Sequence, residues 1–357
     1  MFIKPKDKIS NYLPLQHKKY IPAFMNQHIA TALITGANGF VGSHLSDELL
    51  RRGYRVRCLV RKTSNLQWLK GKQVELFDTG LNNPDALQQA LNGADYVYHI
   101  AGTVKAPNEA GYIKGNVQLT RNVLEAVSRY GQGVKNVVVT SSLAASGPAL
   151  PNQPVTEVTP CNPLSQYGRS KVLQEQVCME YFTQQQMPVT IVRPPIVYGE
   201  RDTEVLVLFK LINRGIFTMA GFTDKQISLV YITDLVSGLI LAAEAPKAPG
   251  QIYFIASGEI MTWSALGSIA ASLLHKRTVS IRIPHTLLYG VAAFNHLWGK
   301  ISGNMPLVNL EKAKEMAQPA WTCSIEKAKT LLGFEPQFTV PRGFAQTIQW
   351  YKQHKWL

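Results

Sequence analysis

The sequence Thr35-Gly36-Ala37-Asn38-Gly39-Phe40-Val41-Gly42 lies between a short apolar run at residues 32–35 and a helical pattern at residues 41–52. Glycine lets a backbone turn tightly, and the first turn of a helix offers free N–H groups and the positive end of the helix dipole to a phosphate. Three glycines at a strand-to-helix turn are typical of a loop that holds the pyrophosphate of a dinucleotide. We therefore predict that this loop binds such a cofactor through Gly36, Asn38, Gly39, Phe40, Val41 and Gly42.

Short β-rich runs alternate with helical patterns throughout the region that follows. The strand candidates are residues 32–35, 55–60, 74–77, 96–100, 137–141 and 189–193, and the helix candidates are residues 41–52, 85–91, 116–129 and 167–183. This alternation is typical of parallel sheets with helices on both faces. The pattern predicts an α/β protein with a Rossmann doubly wound parallel sheet and a smaller C-terminal substrate-binding region.

The strict alternation ends at Gly199, which suggests how the chain is divided. We expect a basic N-terminal extension at residues 1–28, a Rossmann domain at residues 29–195 and a region that mainly binds substrate at residues 196–357. The last region carries helical patterns at residues 264–274 and 325–332. Residues 226–256 are expected to return to the Rossmann sheet.

Composition fits an enzyme with a large core. The chain has 357 residues, of which 46% are hydrophobic and 17% charged, and a formal net charge of +14. The basic residues are scattered rather than arranged in a stripe, which favours a basic enzyme surface over a site for nucleic acid. The partner expected is therefore a small-molecule substrate.

The cysteines and the apolar runs indicate the compartment. Four cysteines lie far apart and form no Cys-x-x-Cys pair, so neither disulfides nor a metal site are predicted, and a cytoplasmic location is expected. No run reaches the length needed to span a bilayer. The nearest candidate, residues 287–298, favours an amphipathic helix packed on the protein, with peripheral membrane contact as the alternative.

The end of the second predicted strand bears on the choice of cofactor. NAD-preferring folds of this kind place an acidic residue about 20 positions beyond the glycine loop. Here the strand ends in Val60-Arg61-Lys62 instead. Two cations suit the 2′-phosphate of NADP(H), which is the predicted cofactor, with NAD(H) as the alternative. Asp78 is a candidate adenine contact or a turn cap.

A catalytic group is predicted where a strand and a helix meet. Tyr167 and Lys171 are four residues apart and share one helix face, so the ammonium is expected to favour the phenolate and to lower the pKa of the phenol. Lys171 can also bind the ribose of a nicotinamide. Ser142 follows the strand at residues 137–140, at the sheet edge where ligands bind, and is favoured over Ser141 as the donor to a substrate oxygen.

Taken together, these motifs resemble those of the extended short-chain dehydrogenases/reductases, in the group called the NAD-dependent epimerase/dehydratase family. The resemblance covers the chain from residue 29 to its C-terminus. It is carried by the glycine loop at 35–42, His99-Ile100-Ala101-Gly102, Asn116-Val117, Thr140-Ser141-Ser142, Tyr167 with Lys171, and Arg193-Pro194-Pro195-Ile196-Val197-Tyr198-Gly199.

The resemblance implies a role for each matching residue. Tyr167 is the expected acid/base, Lys171 its tuning cation and Ser142 the anchor of the substrate oxygen. Asn116 is expected to support Lys171 through water. Tyr167 and Lys171 are also expected to contact the cofactor, and the remaining cofactor contacts that the resemblance implies are Ala101, Pro194 and Val197. Related proteins also often pair through helices beside the catalytic one, which implies a homodimer.

Three functions stay open at this point. Epimerases of nucleotide-sugars in this family place an asparagine where this chain has Ile196, which favours a different activity. The stretch 198–202 is similar to 3β-hydroxysteroid and sterol dehydrogenases, and Arg61 is similar to flavonoid and aldehyde reductases. We therefore predict hydride transfer between NADP(H) and a secondary alcohol or carbonyl of a fairly apolar substrate. Nucleotide-sugar epimerisation or dehydration is the alternative activity. A third hypothesis is that the protein is a non-catalytic NADP-binding module.

Overall fold

A computed structural model describes residues 29–302 and 310–357, in which short strands and longer helices alternate. The strands are β1 (Thr31–Thr35), β2 (Arg55–Leu59), β3 (Val74–Phe77), β4 (Tyr96–His99), β5 (Asn136–Thr140), β6 (Val189–Arg193), β7 (Ile196–Tyr198), β8 (Ile216–Ala220), β9 (Gln226–Tyr231), β10 (Ile252–Phe254), β11 (Ile260–Thr262), β12 (Val279–Ile283) and β13 (Ala320–Trp321).

The helices complete this inventory. They are α1 (Phe40–Arg51), α2 (Gln88–Leu91), α3 (Glu109–Tyr112), α4 (Leu119–Tyr130), α5 (Leu143–Ser146), α6 (Gln166–Gln185), α7 (Leu206–Asn213), α8 (Ile232–Glu244), α9 (Trp263–Leu274), α10 (His285–Ser302), α11 (Leu310–Ala317), α12 (Glu326–Leu332) and α13 (Val340–Gln353). A short 3₁₀ helix, Pro84–Leu87, precedes α2, and a π-helical segment, Ile113–Gln118, joins α3 to α4.

Seven strands form one parallel sheet in the order β10-β6-β5-β4-β1-β2-β3. The six strands predicted from sequence are all in it, which confirms the predicted α/β fold class. The chain order reverses between β1 and β4, and in open α/β sheets ligands bind at such a switch point. The glycine loop follows β1 and therefore lies at that point.

Alternating side chains bury both faces of this sheet. Leu33 and Val137 pack in one cluster with α4 and α6, whereas Ile34 and Val138 pack in the other with α1 and α8. Because successive strand residues point to opposite faces, continuous apolar runs are what a doubly covered sheet requires. For this reason the strands of the sheet could be predicted from continuous apolar runs in the sequence.

The helix predicted at residues 116–129 starts earlier than expected. Helical backbone begins at Glu109 and passes through the π-helical segment before α4. Gly115 in that segment lies against Thr103, whose Oγ1 would be 1.9 Å from an added Cβ. Neither glycine nor asparagine favours a helix interior, so Gly115 and Asn116 indicated a helix start at residue 116 rather than at Glu109.

The expectation that residues 226–256 return to the main sheet is correct only for β10, which pairs with β6. β9 instead joins a second sheet with β7, β11 and β13. Proline lacks a backbone N–H, so Pro194 and Pro195 separate β6 from β7 and allow β7 to pair elsewhere. β9 lies between β11 and β13 in that sheet and also pairs with β7. The domain division at residue 195 stays a prediction.

The amphipathic segment predicted at residues 287–298 lies within α10. Its inner residues Leu288 and Ala292 are buried and pack with Ala313 of α11. Within the described residues, no helix is long and apolar enough to cross a membrane. The predicted basic extension at 1–28 lies outside the described residues, and a cytoplasmic location stays a prediction.

Candidate active site

The glycine loop at residues 35–42 turns tightly between β1 and α1. Gly36 has φ +70°, a conformation that favours glycine, and an added Cβ would lie 2.8 Å from the Ala101 nitrogen. The helix begins after Gly39, with no side chain capping it and no acidic residue in its first turn. Uncapped N–H groups at a helix start fit the pyrophosphate of a dinucleotide.

Gly42 is the tightest point of this loop. An added Cβ would lie 2.2 Å from the carbonyl oxygen of Gly36. A Gly42→Ala substitution must therefore push α1 away from the loop, and we expect the dissociation constant for NADPH to rise at least about tenfold. Fluorescence titration with NADPH measures this. Gly290→Ala is the control, because nothing lies within 4 Å of a Cβ there; equal affinities of both variants would contradict this role of Gly42.

The predicted phosphate-binding cations lie at the end of β2. Arg61 and Lys62 are exposed, and no ion pair joins either of them to another described residue. A backbone bridge joins Arg61 to Thr79, so the loop after β3 lies beside it. Asp78 in that loop is also exposed. These residues lie together, and their contact with a cofactor stays a prediction.

Ser142 stands immediately beyond β5 and caps the N-terminus of α5. Its Oγ accepts a hydrogen bond from the backbone nitrogen of Ala144 at 3.1 Å. The start of α6 packs closely against α5, since an added Cβ at Gly168 would lie 2.5 Å from the Ala144 carbonyl oxygen. This close approach brings the phenol of Tyr167, in the first turn of α6, near the hydroxyl of Ser142.

The electrostatics of Tyr167 differ from expectation. Burial raises the pKa of its phenol to about 12, opposed by the hydrogen bond with Ser142 and reinforced by the carboxylate of Glu315. The expected lowering by Lys171 is therefore wrong for this arrangement, in which the lysine Nζ lies 5.9 Å from the centre of the phenol ring. Tyr167 is thus a protonated acid at neutral pH.

Lys171 is buried one turn further along α6. Its Nζ donates to the carbonyl oxygen of Thr140 at 2.9 Å and to Oε1 of Gln174 at 2.8 Å. An added Cβ on Gly102 would lie 3.4 Å from the same Nζ, so the loop after β4 passes beside it. Burial lowers the pKa of Lys171 to about 8, and the charge of Glu175 partly offsets this.

Asn116 is held by direct hydrogen bonds of its side-chain amide, and its predicted support of Lys171 through water stays a prediction. Its Nδ2 donates to the carbonyl oxygen of Thr103 at 3.0 Å and to Oγ of Ser170 at 2.8 Å. Its Oδ1 accepts from the Thr103 nitrogen at 2.7 Å. Both amide protons are thus used in direct bonds, and Asn116 joins the loop after β4 to α6 at the residue before Lys171.

A buried polar chain that the sequence did not reveal connects Lys171 to the cofactor loop. Gln174 Nε2 donates to Oγ1 of Thr120 at 2.7 Å, and this hydroxyl donates to the Asn116 carbonyl oxygen at 2.6 Å. Since its one proton is used, Thr120 accepts from His99 Nε2 at 2.8 Å. His99 Nδ1 then accepts from Thr35 at 2.8 Å.

This chain fixes one tautomer of a neutral histidine, because burial lowers the pKa of His99 to about 3. Thr35, His99 and Asn116 lie in motifs that the sequence showed. Thr120 and Gln174 are single polar residues in helical patterns, and residues of that kind are usually exposed. Their alignment with Lys171 is a result of tertiary packing.

The pKa of Lys171 predicts how cofactor binding depends on pH. The ammonium form prevails below pH 8 and is lost above it, so we expect NADPH affinity to fall as the pH rises through about 8. Gln174→Glu places a carboxylate at the atom that Lys171 contacts, raises its pKa and moves this midpoint to higher pH. Titration of NADPH affinity against pH tests this. Gln176→Glu, on an exposed position of α6, is the control and is expected to leave the midpoint in place.

A buried ion pair fixes α6 to the sheet. Arg193 at the end of β6 donates from Nη2 to Oε2 of Glu175 at 2.5 Å and from Nε to Oε1 at 2.8 Å. Ser141 also donates to Glu175, which explains why this serine faces away from the site.

Pro194 accepts at its carbonyl oxygen from the nitrogen of Leu143 at 2.9 Å. Val197 follows in β7 and is partly buried.

Among the described residues, no group of histidine, cysteine and acidic side chains is arranged to hold a metal ion. The four cysteines are free, and Cys161 is the exposed one. At the edge of the sheet, the fold brings together the polar groups of Ser142, Tyr167 and Lys171. Their geometry can hold a substrate oxygen near a proton donor.

Comparison with known proteins agrees with this geometry. The profile of the NAD dependent epimerase/dehydratase family matches residues 32–256. A ceramide reductase of Caulobacter vibrioides is 28% identical over 324 residues, which cover 91% of this chain and 95% of that protein. The N-acetyl-alpha-D-glucosaminyl-diphospho-ditrans,octacis-undecaprenol 4-epimerase of Escherichia coli O157:H7 is 29% identical over 339 residues, which cover 92% and 97%.

A solved structure shows the same fold. UDP-glucuronic acid 4-epimerase from Bacillus cereus, in complex with NAD, superposes with a TM-score of 0.73 and covers 91% of this chain and 99% of its own. The two sequences are 23% identical, so this likeness concerns the fold alone.

Proposed function

The chain belongs to the NAD-dependent epimerase/dehydratase family and is an enzyme of the extended short-chain dehydrogenase/reductase type, and on this premise we propose that it transfers a hydride between NADP(H) and a secondary alcohol or carbonyl of a fairly apolar molecule. The observation that carries this proposal is the pairing of a protonated Tyr167 with Ser142, beside the buried ammonium of Lys171.

In the direction of reduction, Tyr167 donates its proton to the substrate oxygen as negative charge develops there. A phenol with a pKa of about 12 holds this proton at neutral pH. Ser142 hydrogen-bonds the same oxygen and stabilises the developing charge. Lys171 holds the ribose and places its positive charge near the phenolate that forms. When bound, the nicotinamide supplies the hydride.

Two features support an apolar substrate. Val104 in the loop after β4 and Ile196 at the start of β7 are exposed, and both follow strands of the main sheet at the edge that carries Lys171. The two relatives described above are named for ceramide and for an undecaprenol-linked sugar, both of which carry long hydrocarbon chains. We propose that this chain likewise acts on a molecule with a substantial apolar part.

We propose NADP(H) as the preferred cofactor on account of Arg61. Arg61→Ala is expected to weaken NADPH binding roughly 10- to 100-fold and to leave NADH binding unchanged, because a charge-assisted contact to the 2′-phosphate is lost. Parallel titrations with both nucleotides measure the ratio. Lys70→Ala removes another exposed cation from the segment that follows β2 and is the control; an unchanged NADPH/NADH ratio in Arg61→Ala would exclude this role.

Epimerisation of a nucleotide-sugar is the second candidate, and the 29% identity to a sugar 4-epimerase favours it. The two activities differ in the fate of the cofactor, since an epimerase regenerates its cofactor and a reductase releases it. Native mass spectrometry of the purified chain distinguishes them. An empty site, with NADPH oxidation on apolar ketones, supports the reductase; tightly retained NAD without net oxidation supports the epimerase.

A further inference from the structure

The outer face of α10 combines exposed apolar residues with a locally basic sequence. Leu287 is 58% exposed and Val291 is 46% exposed, at a spacing of one helical turn. Phe294, 65% exposed, continues the same face in the next turn. We call these three residues the α10 outer face. A neighbouring side of the helix, about 100° around its axis, carries the buried Leu288 and Ala292, so α10 is held to the protein by this inner side.

The sequence around this face contains no acidic residue. Residues 260–310 include Lys276, Arg277, Arg282 and Lys300 and no aspartate or glutamate. Lys276, Arg277 and Arg282 are exposed and form no ion pair with the described residues. These residues therefore contribute only positive charge to the surface around α10.

An aromatic ring and a cation lie beside the start of α10. Arg282 donates from Nη1 to the carbonyl oxygen of Phe222 at 3.3 Å, and the Phe222 side chain is itself 65% exposed. The preceding Gly221 packs against His285, the first residue of α10. Phe222 is therefore fixed near the end of the helix from which Leu287 projects.

We propose that the α10 outer face, with the cations at residues 276, 277 and 282, docks on the surface of an anionic lipid bilayer. Leucine, valine and phenylalanine on one face of a helix, next to lysine and arginine, are the combination by which helices lie in a membrane interface. Residues 260–310 contribute no carboxylate of their own, so the cations at 276, 277 and 282 are not neutralised from within this segment, which favours an anionic bilayer.

This surface lies one helix away from the catalytic group. α11 packs against the inner side of α10, and its Glu311 accepts a hydrogen bond from the nitrogen of Gln166 at 2.9 Å. Glu311 also pairs with Arg169 at 3.0 Å. Docking through α10 therefore brings the helix that carries Tyr167 close to the bilayer, where an apolar substrate would be dissolved.

Sedimentation of the full-length chain with vesicles tests the proposal without any substrate, so its result is independent of the reductase proposal. The probes are phosphatidylcholine vesicles with and without phosphatidylglycerol. We expect binding to the anionic vesicles that decreases with added salt. The double variant Leu287→Ser/Val291→Ser should bind at least about tenfold more weakly. Leu331→Ser, an exposed leucine on α12, should bind like the wild type.

A second variant keeps the test valid if the double variant fails to fold, as judged by circular dichroism. Lys276→Gln/Arg277→Gln changes exposed residues only and should weaken binding to anionic vesicles roughly fivefold per cation. The proposal is wrong if the wild type does not bind anionic vesicles. It is also wrong if the double variant binds like the wild type, which would be the result if the basic N-terminal residues alone bound the lipid. Conversion of a dimer to a monomer in the double variant, seen by light scattering, would also overturn it.

Discussion

Replacement of Tyr167 by phenylalanine is expected to lower turnover about 10²- to 10⁴-fold, because the variant lacks the phenolic proton that the substrate oxygen receives. The phenol lies near Ser142 beyond the carboxyl end of β5. NADPH affinity should change little, because the glycine loop and Lys171 are intact. Steady-state NADPH oxidation and NADPH titration, measured on the same preparation, separate the two effects.

A second tyrosine provides the control for this experiment. Tyr130 lies at the far end of α4, where its hydroxyl donates to Asp85 at 2.6 Å. Tyr130→Phe also deletes one phenolic oxygen and should retain wild-type turnover. If Tyr167→Phe kept full turnover, another group would have to supply the proton and the proposed mechanism would be wrong.

Glu175→Gln is expected to have the largest effect on stability. Glu175 and Arg193 are both buried, and removal of the carboxylate leaves an uncompensated guanidinium charge in the interior. Breaking such a pair costs about 3–5 kcal/mol of unfolding free energy. Ser141 would also lose its charged acceptor. Urea unfolding followed by circular dichroism measures the difference.

The same helix offers an exposed pair for comparison. Glu180 pairs with Arg121 at 3.3 Å, and both side chains are close to half exposed. Glu180→Gln should change the unfolding free energy by less than about 1 kcal/mol, since solvent screens the pair and the lost interaction is replaced by water. If Glu175→Gln and Glu180→Gln lowered the unfolding free energy equally, burial of the Glu175–Arg193 pair would not be the cause of its contribution to stability.

The Rossmann sheet was predictable because its determinants are local. The run at 137–139 is apolar and β-branched, and both of its faces are covered by helices, so a strand is predicted there without any knowledge of its neighbours. The glycine loop is equally local, since Gly36 needs a positive φ and Gly42 needs space. The location of β9 was not predictable, because the sequence of a six-residue strand does not specify the sheet in which the strand pairs.

The candidate site divides in the same way. The identities of Ser142, Tyr167 and Lys171 came from spacing and from their position beside a strand and on a helix. The pKa values of Tyr167 and Lys171 could not be predicted in this way. The sequence placed a cation one turn from a phenol and suggested a lowered pKa, whereas burial in the fold raises the pKa of Tyr167 and lowers that of Lys171.

Sequence alone thus determined the α/β fold, the glycine loop and the residues that carry the proposed chemistry, because each is written in a short pattern of residue type and spacing. Tertiary structure alone decided that Gln174 and Thr120 connect Lys171 to His99, that α10 turns Leu287 and Val291 outward, and that β9 lies in a second sheet. These features depend on desolvation and on contacts between residues far apart in the chain, and no local pattern encodes either.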